Sequence, residues 1–129
     1  MDYENLVRLA NDIKRNAYAP YSNFHVGAAV IGNSGKVYTG VNVENSSYGA
    51  TICAERVAVC KAISEGEKSI EAIAISSDSE EYTFPCGICR QVISEFAGKN
   101  LVILCSNNKG EYKVYSLNDF LPNSFLFEK

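Results

Sequence analysis

The sequence lacks the features that point to membranes or to polynucleotides. No apolar run among its 129 residues approaches the length of about 20 residues that a membrane-spanning helix needs. Its 12 basic and 15 acidic residues give a net charge of −3, so there is no basic footprint for a polynucleotide. We therefore expect neither membrane insertion nor nucleic-acid binding.

Internal repeats, linkers and low-complexity segments are also missing. Hydrophobic residues make up 47% of the chain and charged residues 21%, both ordinary for a globular protein. A chain of this length can bury a substantial core. We predict a single domain over residues 1–129.

Histidine is scarce in this chain, whereas cysteine is not. There is one histidine, His25, and there are five cysteines, an odd number. The start of the chain is acidic and has no signal peptide pattern. Together these features favour a reducing cytoplasm, where neighbouring cysteines bind metals more often than they form disulfides.

The cysteines carry the main functional signal. Cys86 and Cys89 have the C-x-x-C spacing that brings two thiolates to one metal, and a third thiolate, Cys53, is followed two residues later by Glu55. Three protein ligands leave the fourth position of zinc open for a water, which then ionises near neutral pH. The pattern predicts one zinc per chain on Cys53, Cys86 and Cys89, with Glu55 moving protons.

Both cysteine motifs are predicted to begin helices. Cys53 opens a helical pattern that runs to Ile63, and Pro85 precedes Cys86 at the start of another. Helix N-termini lower the pKa of a thiol. Three thiolates on zinc still leave a formal charge of about −1, which Arg56 and Arg90 beside the ligands could offset. The alternative for Arg56 is a surface arginine of its helix.

A four-cysteine structural zinc is the alternative for this site, with the fourth thiolate from Cys60 or Cys105. Cys60 lies seven residues along the same helix from Cys53, about 10.5 Å away, too far for a Zn–S bond of about 2.3 Å. Cys105 ends an apolar run and is predicted to be a buried strand residue. A structural zinc would also have no use for Glu55.

Hydrophobic periodicity predicts alternating helices and strands. The predicted helices are residues 2–18, 53–64 and 86–96, and the predicted strands are residues 24–31, 36–43, 70–76, 101–105 and 112–116. Strands separated by helices favour parallel pairing, while the first hairpin must be antiparallel. We predict an α/β fold, a three-layer α/β/α sandwich with a mixed five-stranded sheet. Both cysteine helices should begin at the carboxyl ends of strands, where such sheets place their sites.

Several segments taken together resemble the cytidine deaminase family. They are residues 20–29, 40–48, 52–56, 85–91 and 121–125. The resemblance covers essentially the whole chain and is to the short, homotetrameric, three-cysteine form. It implies a cytidine deaminase-like fold and a zinc-dependent hydrolysis in pyrimidine salvage. That reaction converts cytidine and deoxycytidine to uridine and deoxyuridine with release of ammonia, and Glu55 is its proton shuttle.

The resemblance also implies a set of substrate contacts. Asn42 and Glu44, on one face of the strand end that includes Val43, would bind the ribose. Phe24 would lie beside the pyrimidine ring, and Ala54 would contact the base through its backbone. From the residues alone, Asn42 and Glu44 are as compatible with capping a loop as with binding a ribose. Phe24 is, on pattern alone, more often a core residue than a ring that stacks on a base. His25 is expected to be structural, since the ligand set is complete without it.

The C-terminal segment, residues 119–127, is unusually apolar for a chain end. It needs cover from water, and a neighbouring subunit is one source of it. The resemblance implies a homotetramer with shared active sites, in which Phe125 reaches the adjacent subunit's site and Tyr48 lies near a subunit boundary. The alternative is that the segment folds back onto its own core.

Two other functions are compatible with the motifs. One is deamination of another amino-heterocycle, such as blasticidin S, a free base or an adenosine in tRNA. The tRNA enzymes typically have histidine at the position of Cys53, and a bare base would leave Asn42 and Glu44 unpaired. The other is a zinc-stapled binding module without catalysis, for which Glu55 would have no role.

Overall fold

The computed structural model describes residues 1–128 and is built on one five-stranded sheet with the strand order β2-β1-β3-β4-β5. The helices are α1 (Tyr3–Ile13), α2 (Ala54–Ser64), α3 (Gly87–Phe96) and α4 (Leu117–Phe120). The strands are β1 (Val26–Gly32), β2 (Val37–Val41), β3 (Ile70–Ser77), β4 (Ala97–Ser106) and β5 (Tyr112–Ser116). Short 3-10 turns cover Lys14–Asn16 and Tyr48–Ala50.

The sheet is mixed, as the sequence predicts. β1 is antiparallel to both β2 and β3, β3 is parallel to β4, and β4 is antiparallel to β5. The strands β2, β3 and β4 therefore run in the same direction. Because α2 follows β2 and α3 follows β3, both helices begin at the same edge of the sheet, where their first turns can meet.

Helices cover both faces of the sheet, which confirms the three-layer prediction. On one face α1 packs its buried stripe, Leu6, Val7 and Ala10, against the small and aliphatic residues Ala29, Ala72, Ala74 and Leu104. The opposite face forms a larger core with α2 and α3, which includes Ala58, Val59, Ile73, Ile93 and Ile103. At Gly40 of β2, a Cβ would lie 2.5 Å from the backbone nitrogen of Ala58. Glycine at this position therefore allows α2, the helix after Cys53, to approach the sheet closely.

The first helix is shorter than predicted. The sequence favours a helix over residues 2–18, but α1 ends at Ile13 and a 3-10 turn follows. The backbone of Tyr18 instead pairs with the residues that follow β2. The Tyr18 N–H donates to the carbonyl of Asn42, and the Tyr18 carbonyl accepts from the N–H of Glu44. This pairing between distant segments outweighs the helical periodicity. The predicted cap, Asp2, does accept a hydrogen bond from the N–H of Asn5 at 3.0 Å.

Other boundaries also differ from the prediction. β1 begins at Val26 rather than residue 24, and Asn23, just before the predicted start, adopts a left-handed conformation (φ 55°). β2 spans Val37–Val41 rather than residues 36–43. β4 begins at Ala97, directly after α3, rather than at residue 101. The helix α4 was not predicted, although Ser116 and Asp119 form a capping box that the sequence displays.

Among residues 1–128, no helix has the length and apolar character required to cross a bilayer.

Candidate active site

Three of the five cysteines meet at the shared edge of β2 and β3. The Sγ atoms of Cys53, Cys86 and Cys89 all lie within 4.8 Å of one another, and the Cys53 and Cys86 sulfurs are 3.8 Å apart. Two sulfurs bound to one tetrahedral zinc at about 2.3 Å would be about 3.8 Å apart. The donor chemistry and the spacing therefore both fit a zinc ion held by three thiolates.

The helix starts place these thiols. Cys53 is the residue before the first turn of α2 and Cys86 is the residue before the first turn of α3, and neither side chain caps its helix. Cys89 lies one turn into α3 and is buried. The two N-terminal helix ends thus direct their partial positive charge toward the cluster, which favours thiolates.

The pKa values of two thiols in the cluster, Cys53 and Cys89, are shifted in opposite directions. A hydrogen bond from the Cys89 thiol, together with Arg56 and Cys86, lowers the pKa of Cys53 to about 5. The same bond to Cys53 and the burial of Cys89 raise the pKa of Cys89. The contacts therefore favour the thiolate form of Cys53, with the Cys89 thiol as its hydrogen-bond donor. Zinc binding releases such protons, since only thiolates coordinate the metal.

Arg56 lies beside the thiols on the next turn of α2. Its Nη2 donates to the Sγ of Cys53 at 3.7 Å. Its Nε is buried and has no hydrogen-bond partner within residues 1–128. The guanidinium is thus directed at the sulfur cluster rather than at solvent, which disfavours the interpretation of Arg56 as a surface arginine.

Glu55 occupies the wall next to the thiols and is only 4% exposed. Burial raises the pKa of Glu55 to about 7, while its own backbone N–H and the Cys89 thiol counteract that rise. A carboxyl group with such a pKa can both accept and donate a proton near neutral pH, which is what general acid–base catalysis requires.

A cavity of about 280 Å³ opens onto the thiols and Glu55. Its wall includes five predicted site residues besides the sulfurs: Phe24, Asn42, Glu44, Ala54 and Glu55. It also includes Cys53 and Cys86. The structure therefore brings together, in one small cavity, residues from the β1 entry, the end of β2, and the starts of α2 and α3.

Asn42 and Glu44 hold the loop before β1 while they face this cavity. The Asn42 amide accepts from the N–H of Val26 at 2.9 Å and donates to the carbonyl of Phe24 at 2.8 Å. Glu44 accepts from the N–H of Tyr21 at 3.0 Å and from the Ser22 hydroxyl. The Ser22 hydroxyl bond lowers the pKa of Glu44 against the opposing effect of its partial burial. Within the chain, both residues therefore act as loop caps.

Three predicted substrate-binding residues do not line the cavity within one chain. Val43 pairs through its backbone with Ile52. Tyr48 is 80% exposed and packs edge-on against Tyr21 over a neighbouring cleft that shares Glu44 with the cavity. Phe125 is 64% exposed and is held by a hydrogen bond from Gln91 Nε2 to its carbonyl at 2.9 Å.

The remaining candidate groups have other partners. Cys60 is exposed and outside the cluster, and Cys105 is buried in β4, where burial raises its pKa to about 12. His25 contacts Asp78 rather than the thiols. Arg90 donates to the carbonyls of Pro85 and Phe120, so its contacts are with the loop before α3 and with α4.

Other residues of the wall were not predicted from sequence. They are Ser22, Val26, Thr51, Ile52, Thr83 and Phe84. Four of these adjoin predicted positions: Thr51 and Ile52 precede Cys53, and Thr83 and Phe84 precede Pro85 and Cys86. Adjacency to the ligand motifs was the signal that would have identified them.

A larger concavity lies elsewhere. It measures about 860 Å³, is formed by β4, β5, α4 and the segment after α4, and includes neither Glu55 nor any cysteine of the cluster. Its lining side chains are neutral except for Lys99. The small cavity is therefore the candidate active site, because it combines concavity with converging reactive groups.

Comparison with known proteins agrees with this geometry. A sequence model described as the cytidine and deoxycytidylate deaminase zinc-binding region matches residues 1–105. Cytidine deaminase of Sporosarcina psychrophila is 42% identical over 128 residues, which covers 99% of this chain and 94% of that protein. Cytidine deaminase of Halalkalibacterium halodurans is 41% identical over 128 residues, which covers 99% of this chain and 97% of that protein.

Solved structures show the same relationship. The crystal structure of cytidine deaminase from Burkholderia pseudomallei superposes with a TM-score of 0.91 at 42% identity, covering 97% of this chain and 100% of that one. Cytidine deaminase from Mycobacterium tuberculosis superposes with a TM-score of 0.85 at 39% identity, covering 98% of this chain and 99% of that one. The fold, the zinc-binding thiol cluster and these matches over nearly the whole chain establish that the protein belongs to the cytidine deaminase family.

Proposed function

We propose that this chain is a single-domain, zinc-dependent hydrolase that converts cytidine and deoxycytidine to uridine and deoxyuridine and releases ammonia. The observation that carries the proposal is the meeting of three thiols and a buried glutamate at one end of a cavity of about 280 Å³. The proposal is supported by the family membership of the chain.

The metal site consists of Cys53, Cys86 and Cys89, with one zinc per chain. Zinc bound there supplies a Lewis acid that lowers the pKa of a water in its open coordination position. The protein would hold the metal through three sulfurs placed by two helix starts, and two of these residues, Cys53 and Cys86, line the cavity. Cys60 and Cys105 lie outside the cluster and are not ligands in this proposal.

Glu55 is the proposed proton shuttle. Its carboxylate would accept the proton of the attacking water, deliver it to N3 of the cytosine ring, and assist the departure of ammonia from C4. Its burial supports this role, because burial raises the pKa of Glu55 to about 7, where the carboxyl group can both accept and donate a proton. General acid–base catalysis of this kind accelerates a reaction by about 10² to 10⁴.

The nucleoside would be bound by the opposite wall. Phe24 would pack beside the pyrimidine ring, and the backbone of Ala54 would contact the base. Asn42 and Glu44, with Val43 between them, would bind the ribose, and the Glu44 carboxylate would accept from the 3′-hydroxyl. The proposal favours a nucleoside over a free base, because a bare base would make none of these ribose contacts.

Arg56 is proposed to tune the metal. A guanidinium that donates to the Cys53 sulfur withdraws negative charge from it, which keeps a zinc with three thiolate ligands an effective Lewis acid. Removal of this donor should therefore affect the chemical step more than substrate binding.

The proposal includes a homotetramer with shared active sites. Phe125 and Tyr48 are exposed in one chain and lie outside its cavity, as expected of residues that would act on an adjacent subunit's site or at its boundary. An apolar chain end of this kind is covered most simply by a second copy. We further propose that the enzyme acts in the cytoplasm, in pyrimidine salvage.

A spectroscopic assay with metal analysis tests the function. The purified protein should contain about one zinc per chain. It should convert cytidine to uridine, a reaction that is measured by the change in the ultraviolet spectrum. Cys53→Ala, Cys86→Ala and Cys89→Ala should each lose zinc and activity, whereas Cys60→Ala should retain both. Absence of turnover in the zinc-loaded protein would contradict the function, and equal zinc loss in Cys60→Ala would contradict the ligand set.

A further inference from the structure

The loop that leads into β1 alternates between two sides of the molecule. Phe24 and Val26 line the catalytic cavity, whereas His25 between them lines a separate cleft together with Lys14 and Asp78. Neighbouring residues of an extended chain point in opposite directions. A contact made by His25 therefore fixes the backbone that carries Phe24 without entering the cavity.

Asp78, just after β3, holds His25 by both its backbone and its ring. Its Oδ2 accepts from the N–H of His25 at 2.9 Å and lies 2.7 Å from the ring Nδ1. The N–H of Asp78 donates in turn to the carbonyl of His25 at 3.2 Å. These contacts determine both the position and the orientation of the His25 peptide.

Asp78 is itself fixed by its neighbours. Lys14 Nζ lies 4.0 Å from Asp78 Oδ1 and donates to the carbonyl of Ser77 at 2.9 Å. Asn108 donates to the carbonyl of Asp78 at 3.2 Å. Burial opposes ionisation of Asp78, but the hydrogen bonds from His25 outweigh it and lower the pKa of Asp78. An ionised carboxylate in a fixed position makes a strong acceptor.

The Asn42 amide holds the same residue from the other side. It bonds to the carbonyl of Phe24 and to the N–H of Val26, the peptide groups that flank His25. Asn42 follows β2 and Asp78 follows β3, and these strands are the two neighbours of β1 in the sheet. The entry to β1 is thus clamped from both adjacent strands.

We propose that the His25–Asp78 pair is a positioning device for the base-binding wall, acting through the backbone on Phe24. The inference rests on the proposed function, because it takes Phe24 as the residue beside the pyrimidine ring. The His25 and Asp78 side chains are 33% and 41% exposed, and pairs this exposed contribute little to global stability. The effect of the pair should therefore be local and should appear in substrate binding.

Alanine variants of the pair provide the first test. In His25→Ala and in Asp78→Ala, KM for cytidine should rise about five- to tenfold. This is the lower end of the roughly 5- to 150-fold loss of affinity expected when a base-stacking aromatic is removed. The kcat should stay within about twofold, since the groups that move protons are untouched. Zinc content should be unchanged. His25→Asn should restore KM, because its amide N–H can replace the Nδ1 donor toward Asp78.

A matched control is available on α1. Arg8 and Asp12 form another exposed pair, at 3.4 Å, and neither residue lines the catalytic cavity. Arg8→Ala should leave KM and kcat at the wild-type values. A rise of KM in Arg8→Ala equal to that in His25→Ala would overturn the inference, because a nonspecific effect of removing an exposed polar side chain would then explain both.

A double-mutant cycle with Phe24→Ala provides the decisive test. If His25 acts through Phe24, the KM of Phe24→Ala should not rise further when His25→Ala is added. Multiplicative effects of the two substitutions, or a fall in kcat and melting temperature with KM unchanged, would overturn the positioning role. A zinc-loaded wild type without cytidine turnover would overturn the proposed function and this inference together. An active wild type with multiplicative effects would overturn the inference alone.

Discussion

Two buried glutamates, one at each end of α2, have opposite electrostatic properties. Glu55 lies in the first turn of α2 and is 4% exposed, and Glu67 lies just beyond its end and is 7% exposed. Glu67 accepts from the Ser34 N–H at 2.9 Å and the Ser34 hydroxyl at 2.5 Å, and from the Tyr38 hydroxyl at 2.7 Å. These bonds lower the pKa of Glu67, whereas burial raises the pKa of Glu55 to about 7.

Burial alone therefore does not distinguish a structural carboxylate from a catalytic one. Glu67 is surrounded by donors from the β1–β2 hairpin, and a Cβ at Gly32 would lie 2.2 Å from its carboxylate carbon. Its charge is satisfied and its place is fixed. Glu55 is adjacent to sulfurs instead of hydroxyls, and burial outweighs the hydrogen bonds that lower its pKa. The partners of a buried charge, rather than its depth, indicate its role.

Substitution of Glu55 should give the largest effect in this comparison. Glu55→Gln should lower kcat by about 10² to 10⁴, because an amide cannot transfer the protons of the reaction. The fold and zinc content should be retained, since the thiols are intact. Steady-state kinetics with zinc analysis and circular dichroism would check this. Near-normal turnover of a zinc-loaded Glu55→Gln protein would contradict the proton-shuttle role.

Arg56 provides a smaller effect at the same site. Arg56→Ala should lower kcat by about 10- to 100-fold, the range typical for groups that orient or tune metal ligands, with a smaller change in KM. The physical reason is a Cys53 sulfur that donates more charge to the metal. Kinetics on zinc-loaded protein provide the measurement. Unchanged kcat and KM would support the interpretation of Arg56 as an ordinary helix arginine.

The C-terminal segment offers a test of the shared site. If Phe125 contacts the base in an adjacent subunit as proposed, removal of residues 124–129 should raise KM roughly tenfold and should weaken the proposed tetramer. The zinc content per chain should not change, because the thiols belong to α2 and α3. Sedimentation and kinetics on the same preparation measure both effects. A truncated tetramer with the wild-type KM would contradict the shared site.

Glu55 could be predicted from the sequence and Glu67 could not, because Glu55 belongs to a local motif whereas the partners of Glu67 are distant in the chain. Glu55 is two residues after Cys53, and Cys89 is three residues after Cys86. The spacing along one helix start therefore determines the geometry of each pair. The alternation of strands and helices similarly predicted the sheet and the edge at which the thiols meet. In both cases the signal is local.

Most of the missed features depend on contacts between distant segments; α4, whose capping box is local, is the exception. Glu67 bonds to Ser34 across 33 residues, and Asp78 bonds to His25 across 53. α1 ends early because the backbone of Tyr18 pairs with Asn42 and Glu44. Ahead of β1, side chains of Asn42, Glu44 and Asp78 bind the backbone of residues 21–26. Propensity and periodicity contain no information about such bonds between side chains and distant backbone groups.

The smallest effect on activity is expected at Glu67. Glu67→Gln should leave kcat and KM unchanged and should lower the melting temperature by several degrees, because the amide cannot accept all three hydrogen bonds. The sign of its pH dependence follows from its lowered pKa. The stabilisation by the carboxylate is fully present above the unfolded value of about 4.3 and is lost as pH falls through the lower pKa of the folded state.

The stability difference between wild type and Glu67→Gln should therefore be constant at neutral pH and shrink in acid. Melting curves of both proteins between about pH 7 and pH 3 would measure this, with Glu65→Gln, an exposed neighbour, as the matched control. Glu65→Gln should melt like wild type throughout. A Glu67→Gln protein that melts like wild type but has lost turnover would break the comparison, because the satisfied carboxylate would then serve the reaction rather than the fold.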